Sequence, residues 1–176
     1  NPKLYKACIS TVHLESMNSA AVRAQQLKII GKHLSHYDCA ILCGDFNFDS
    51  TKNFNGSNED LENDQLTKHN IVFCNEFEDV WTLLHGNSEN KGYTFDTCSN
   101  SNLATAKDEE RMRYDRIMIK PSAKMQQQTN LHAPQWRPTS IKLVGTEPLN
   151  EDDLVHVMPS DHFGLICTLI ENKCHI

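Results

Sequence analysis

The order of apolar runs at the start of the chain restricts its fold more than any other feature. Tyr5 to Leu14 mixes Ile9, Thr11 and Val12 into a strand-like segment ending at His13, and Val22, Leu27, Ile30 and Leu34 then recur at helical spacing. Cys39 to Cys43 is again an apolar run of strand length. Asn18 or Ser19 stands where a short side-chain oxygen can accept from an unpaired first-turn amide, and Arg23, Gln25, Lys28 and Lys32 fall at polar positions of the helix. A strand, helix, strand unit with a right-handed crossover makes its two strands parallel, adjacent or near each other in one sheet. His13 and Asp45 then leave the sheet on the same edge.

Later segments supply further pieces. Phe46 to Lys68 is rich in Asn, Asp, Ser and Gly and reads as a surface loop with one helical turn near Leu61. Glu78 to His85 reads as a short helix or turn packed on the core, and Tyr93 to Thr97 precedes a polar stretch, Cys98 to Asn102. Arg113 to Ile119 alternates as a strand carrying Asp115, Ser140 to Val144 is a weaker strand, and Phe163 to Ile170 is the strongest. If this last strand runs antiparallel beside Cys39 to Cys43, Asp45 and Asn47 at the exit of one meet Asp161 and His162 at the entrance of the other.

At 176 residues and 39% hydrophobic content the chain reads as one mixed α/β domain. Its formal charge of −6 argues against coating long stretches of duplex, and leaves room for a small footprint on a nucleic-acid end. No apolar stretch approaches the ~20 residues of a membrane span, so the sequence reads as soluble. Asn1-Pro2-Lys3 opens close to a strand, with neither an initiator Met nor an apolar leader, and reads as the start of a trimmed piece. Seven cysteines, without a Cys-x-x-Cys pair, read as reduced thiols suited to a cytosolic or nuclear compartment, and nominate neither a zinc site nor a covalent Cys enzyme. The sequon Asn55-Gly56-Ser57 is too short a match to carry weight.

The polar groups suit phosphodiester hydrolysis, which must deprotonate and orient water, neutralise phosphoryl oxygens and stabilise a leaving anion. Asp45 can accept the water proton, and Asn47 can hold the same water or a phosphoryl oxygen. His162, protonated, is a donor and positive charge for phosphate. Asp115 can orient that imidazole and raise its pKa, with His13 as a further donor. Asp161 can hold a divalent ion directly or through water. Each group also has a plainer reading. Asp45 can be a turn residue accepting backbone hydrogen bonds, Ser160-Asp161-His162 a loop with a satisfied histidine, Asp115 a surface partner of Arg113 or Arg116, and His13 a structural histidine.

Four ordered motifs carry a likeness to a known family. Thr11-Val12-His13-Leu14, Gly44-Asp45-Phe46-Asn47, Tyr114-Asp115-Arg116-Ile117 and Ser160-Asp161-His162 resemble the successive motifs of the endonuclease/exonuclease/phosphatase superfamily. Within it, His13-Leu14-Glu15-Ser16, Tyr93-Thr94-Phe95-Asp96-Thr97, Asn100-Ser101-Asn102-Leu103 and Pro159 to Leu165 resemble the branch that removes tyrosine left on DNA 5′ ends by topoisomerase 2. The resemblance implies a DNase I-like four-layer α/β/β/α sandwich of which residues 1–176 supply the C-terminal portion. It implies a DNA-repair hydrolase, nuclear and cytoplasmic, that uses Mg2+ or Mn2+ and acts on DNA 5′ ends carrying a tyrosyl or peptide adduct, as a monomer. Other activities of the superfamily are abasic-site cleavage, poly(A) removal and phosphoinositide dephosphorylation, and a module that only binds is the rival from outside enzymes.

The same resemblance implies Asp45 as catalytic carboxylate, Asn47 and His162 as phosphate or water contacts, Asp115 as the histidine's orienter and His13 as auxiliary donor. Ser16, Phe95, Leu103 and Tyr114 would border the DNA channel, where stacking tolerates any base. Phe46 stands where the family commonly has Thr, Phe95 where it has Trp and Asn18 where it has Arg. The family's Asn and its magnesium-holding Glu are expected ahead of Tyr5 and are not within residues 1–176, so weak or no turnover is expected of these residues alone.

Overall fold

The computed structural model describes residues 7–37, 39–50, 62, 63, 66, 77–86, 88–120, 135–149 and 157–172. Strand β1 (Ala7–His13), helix α1 (Ala20–Leu34) and strand β2 (Cys39–Asp45) form the expected unit. β1 and β2 pair in parallel from Ala7↔Cys39 to His13↔Asp45. β6 (Asp115–Ile119) lies antiparallel on the other side of β2, and the two-residue β3 (Glu78–Asp79) closes the order β1-β2-β6-β3. β3 leads into α2 (Val80–His85), whose first amides, Trp81 N and Thr82 N, donate to the Asp79 carboxylate. The short ribbon of β4 (Phe95–Asp96) and β5 (Arg111–Met112) bears the 3-10 turn Ser101–Leu103 at its tip. β7 (Gln135–Val144) and β8 (Gly164–Asn172) make an antiparallel hairpin.

Alternation along the strands divides the core in two, because successive side chains point to opposite faces. One face of the four-stranded sheet turns Cys8, Val12, Ala40, Leu42 and Met118 onto Leu27, Ile30 and Leu34 of α1. The other turns Ile41, Ile117 and Ile119 onto Ile141, Leu143, Leu165, Cys167 and Leu169 of the hairpin. The described residues thus build an α/β/β stack, three of the four layers expected. No described helix is long and apolar enough to cross a membrane. The thiols of Cys8, Cys43, Cys98 and Cys167 are free among the described residues, and Cys74 and Cys174 lie outside them.

Five sequence readings need correction. β2 and β8 are not neighbours: β2 lies between β1 and β6, whereas β8 pairs with β7 in the facing sheet. The reason is visible in burial, since β2 is covered on both faces and β8 is exposed at alternate residues, a strand with one dry side. β7 begins five residues earlier than Ser140, with the bulge between Pro138 and Ser140 absorbing a proline that cannot donate to the ladder. Arg23 is not at a polar surface but fully buried, and Val22 is exposed in its place. Its Nε lies 2.7 Å from Glu62 Oε1, and Nη1 donates to the carbonyls of Glu15 at 2.9 Å and Met17 at 2.8 Å, so it satisfies the turn between β1 and α1. Ser19 occupies the cap position with its backbone carbonyl accepting from Val22 N and Arg23 N, but its side chain makes no cap bond.

The fifth correction concerns the segment after β2. Phe46, Phe48, Asp49, Glu62 and Leu66 are all buried, so both ends of the expected surface loop belong to the core. Phe46 and Phe48 meet edge to face at 5.9 Å, with the Arg116 guanidinium over both rings. Residues 51–61, 64, 65, 67 and 68, including the sequon, lie outside the described residues.

Gly44 controls how β2 delivers Asp45. Its φ is +125°, and a Cβ there would stand 2.0 Å from the Val12 carbonyl oxygen across the β1–β2 pair. Gly44→Ala is therefore expected to cost at least ~1–3 kcal/mol from backbone strain alone. Denaturant unfolding checks this, and an unchanged midpoint would contradict the close strand approach.

Candidate active site

Strand register brings the expected residues into one row. His13 closes β1, Asp45 closes β2 and Asp115 opens β6; Asp45 is the registered partner of both of the others. With neighbouring strands ~4.8 Å apart, the three side chains share one edge and one face of the sheet. His162, which precedes β8 in the facing sheet, completes the group. Its Nδ1 lies 2.7 Å from Asp115 Oδ2. The convergence anticipated from β2 and β8 therefore occurs across the gap between two sheets, with β6 as the intermediary.

Each acid has defined partners. Asp45 Oδ2 lies 3.5 Å from His13 Nε2, and its Oδ1 accepts from the Asn47 backbone amide at 2.8 Å. Asn47 adopts the left-handed conformation (φ +53°) that asparagine tolerates well. Its Nδ2 donates to the Leu14 carbonyl at 2.8 Å, using one of the two donors of the amide. Asp115 is not the surface partner of Arg113 or Arg116. Both guanidiniums belong to the buried Asp79, with Arg113 Nη1 at 2.7 Å and Arg116 Nε at 2.9 Å from Oδ2. Burial alone would raise the Asp79 pKa, but Arg116 and Arg113 outweigh it and hold the carboxyl below its ordinary value.

Two shifts bear on chemistry. Burial pushes the Asp45 carboxyl above its usual value and the nearby Asp115 charge adds to this, against the Asn47 amide, His162 and His13. The hydrogen bond to Asp115 raises the His162 pKa, with the charges of Asp115, Asp45 and Asp161 adding to it and burial opposing. A carboxyl more basic than usual thus stands near an imidazole more readily protonated than usual. That pairing suits taking a proton from water while presenting positive charge to an anion.

Two of the expected channel residues, Phe95 and Tyr114, pack at this edge. The Phe95 ring meets His162 at 5.2 Å edge to face and packs on Tyr114 at 5.7 Å. Tyr114 is buried and its hydroxyl donates to Glu110, so it backs the wall more than it lines it. Leu103, half-buried, ends the 3-10 turn, and Ser16 is exposed between the two carbonyls that Arg23 fixes. Asp161 is exposed, its Oδ1 accepting from Ser160 Oγ. Among the described residues no three acidic, His or Cys groups gather as a metal site. Both oxygens of Asp45 and Oδ2 of Asp115 already face donors, so the described residues do not fit a magnesium ion by themselves.

Sequence reasoning assigned no role to Thr94, Asn100 or Asn102, which fix the loop carrying His162. Asn100 Nδ2 donates to the carbonyls of Ser160 and Asp161, and Asn102 bonds Met158 through both its amide atoms. The signal present was that Thr94, Asn100 and Asn102 fall inside two of the segments that carry the family resemblance, though a pair of asparagines two residues apart suits a polar loop as readily as a buried clamp.

No family model matches the chain. It is 31% identical over 166 residues to tyrosyl-DNA phosphodiesterase 2 of Bos taurus, a match that covers 92% of this chain and 38% of that protein. The crystal structure of Danio rerio TDP2 complexed with single-strand DNA product superposes with a TM-score of 0.63 at 27% identity, covering 91% of this chain and 54% of that one. An endonuclease/exonuclease/phosphatase family protein from Bacteroides thetaiotaomicron shares the fold at a TM-score of 0.54 and 16% identity, over 90% of this chain and 48% of that one. The chain thus spans about two fifths of the length of the curated relatives it matches.

Proposed function

We propose, since this chain is related to the endonuclease/exonuclease/phosphatase superfamily and stands close to tyrosyl-DNA phosphodiesterase 2, that its polar edge is one wall of a phosphodiesterase active site. The substrate in this reading is a DNA 5′ end joined through phosphate to tyrosine, as topoisomerase 2 leaves it, and the products are a 5′ phosphate and free tyrosine or peptide. The observation that carries the reading is the row of His13, Asp45 and Asp115 completed by His162.

Asp45 takes the proton of the attacking water, and Asn47 orients that water or a phosphoryl oxygen. His162, held by Asp115, donates to the phosphoryl oxygens as negative charge builds there, and His13 is an auxiliary donor. Phe95 and Leu103 offer apolar faces to sugar and base, Tyr114 supports Phe95, and Ser16 borders the same channel. The superfamily is generally divalent-metal dependent, and magnesium belongs to this proposal as a supplier of charge to the phosphate, with its main ligands outside residues 1–176. Weak or no turnover is accordingly expected of these residues alone.

Side-by-side cleavage of 5′-tyrosyl DNA, abasic duplex, poly(A) and a phosphoinositide tests the substrate. Preference for the first is expected, and preference for any other overturns the narrower reading. The pH profile tests the roles. Rate falls on the acid side as Asp45 takes up a proton, above the ordinary carboxyl value of 3.8, because its pKa is raised. It falls on the alkaline side as His162 loses its proton, above the ordinary 6.5. Asp115→Asn moves the alkaline limb down, and a limb that stays put would remove His162 from its role.

A further inference from the structure

The Asp115–His162 pair is tied by hydrogen bonds to one hairpin, residues 94 to 114, which also carries the proposed channel residues Phe95 and Leu103. We propose that Thr94 and Asn100 are positioning residues that act through the Asp115–His162 pair, Thr94 through its hydroxyl on the Asp115 amide and Asn100 through its side-chain amide on the carbonyls before His162, so that the imidazole stays on Asp115. Thr94 is fully buried, and its Oγ1 accepts from the Asp115 amide at 3.0 Å. Its carbonyl accepts from the amide of Phe163, the residue after His162, at 2.7 Å. Asn100, 1% exposed, donates to the carbonyls of Ser160 at 3.0 Å and Asp161 at 3.1 Å, the two residues before His162. Its Oδ1 accepts from Asn102 N, and Asn102 in turn bonds Met158 at 3.0 Å in both directions.

Met158 and Phe163 bury the two ends of the loop, whereas Pro159, Ser160 and Asp161 between them are exposed. The bonds from Ser160 Oγ to Asp161 and from His162 N to Ser160 Oγ stay within the loop, and the His162 ring reaches out to Asp115 and the Phe95 ring. The hairpin's bonds to the loop backbone on both sides of His162 hold it in place for those contacts. Leu103 directly follows Asn102 on the same unit, so a channel wall and the histidine are held together. A group held this way loses rate when its support is removed, since misplacement of about 1 Å can cost ~10²-fold.

The test uses Asn100→Ala and Thr94→Val, the second being nearly isosteric and retaining the carbonyl bond to Phe163. Proton NMR of the purified chain reads the Nδ1–H of His162 against the Asp115 carboxylate, a low-field resonance identified by its disappearance in His162→Gln. The resonance is expected in the unaltered chain and is expected to be lost or shifted upfield in both variants while their methyl spectra remain dispersed. Should Asn100→Ala fail to fold, Thr94→Val alone decides. Unchanged resonances in a folded variant overturn the proposal.

The kinetic arm rests on the phosphodiesterase reading. There each variant is expected to lose about 10²-fold in kcat with little change in KM, and to lose nothing further when combined with His162→Gln. Fully additive losses would mean a general structural role and would also overturn it. Absence of phosphodiesterase activity when these residues are assayed within a longer chain, with the resonance behaving as expected, removes the functional reading and supports the clamp.

Discussion

Replacing Asp45 with alanine is expected to lower the rate of 5′-tyrosyl cleavage by about 10²–10⁴-fold, the range for removing a general base, with binding of the DNA end little changed. The comparison belongs in a length of chain that turns over, measured under single-turnover conditions so that product release does not mask the step. Asp45 is well placed for this effect because it is the central member of the cross-strand row and is partly withdrawn from water. It is also a turn residue, since its Oδ1 accepts from the Asn47 amide at 2.8 Å. The two sequence readings of this aspartate are therefore both present in one side chain. Asp45→Asn separates them, because it keeps an oxygen for the Asn47 amide but removes the base. Loss of rate in both variants with folding intact supports catalysis, and a fully active Asp45→Asn would leave only the turn.

The second large effect is on stability. Asp79→Ala is expected to destabilise the fold by ~3–5 kcal/mol, the usual cost of removing one partner from a buried ion pair. Asp79 answers two buried guanidiniums, Arg113 and Arg116, and also accepts from the first amides of α2. Its loss strands both charges and uncaps the helix that joins β3 to the inter-sheet core. Against a typical total of ~5–15 kcal/mol such a change is severe. Urea unfolding is the measurement, and a shift below ~1 kcal/mol would show that the arginines find other partners. Asp79→Asn, which keeps an oxygen for the cap, is expected to fall between the two.

The parts of this architecture that were legible in the sequence are those set by neighbours along the chain. Periodicity predicts β1, α1 and β2, and the handedness of the crossover then brings His13 and Asp45 to one edge. The position of His162 was right for a wrong reason. Its strand looked like a neighbour of β2, whereas pairing is a long-range choice that local pattern does not encode. Burial of charge was equally invisible. Arg23 and Glu62 are 39 residues apart, and Arg113 and Asp79 are 34 apart, so neither partner announces the other. Asn100 reads as loop chemistry because an asparagine satisfied by two distant carbonyls has the same letter as one facing water.

In the proposed complex, residues from both sheets surround one phosphate at this edge. Chemical-shift mapping with a 5′-phosphorylated single-stranded oligonucleotide tests this without requiring turnover. Asn47, Phe95, Leu103 and His162 are expected to shift together and saturate at one concentration. Shifts confined to the outer face of the β7–β8 hairpin, at Lys142, Ile166 and Thr168, with the edge residues unmoved, would place the phosphate elsewhere and overturn the shared site.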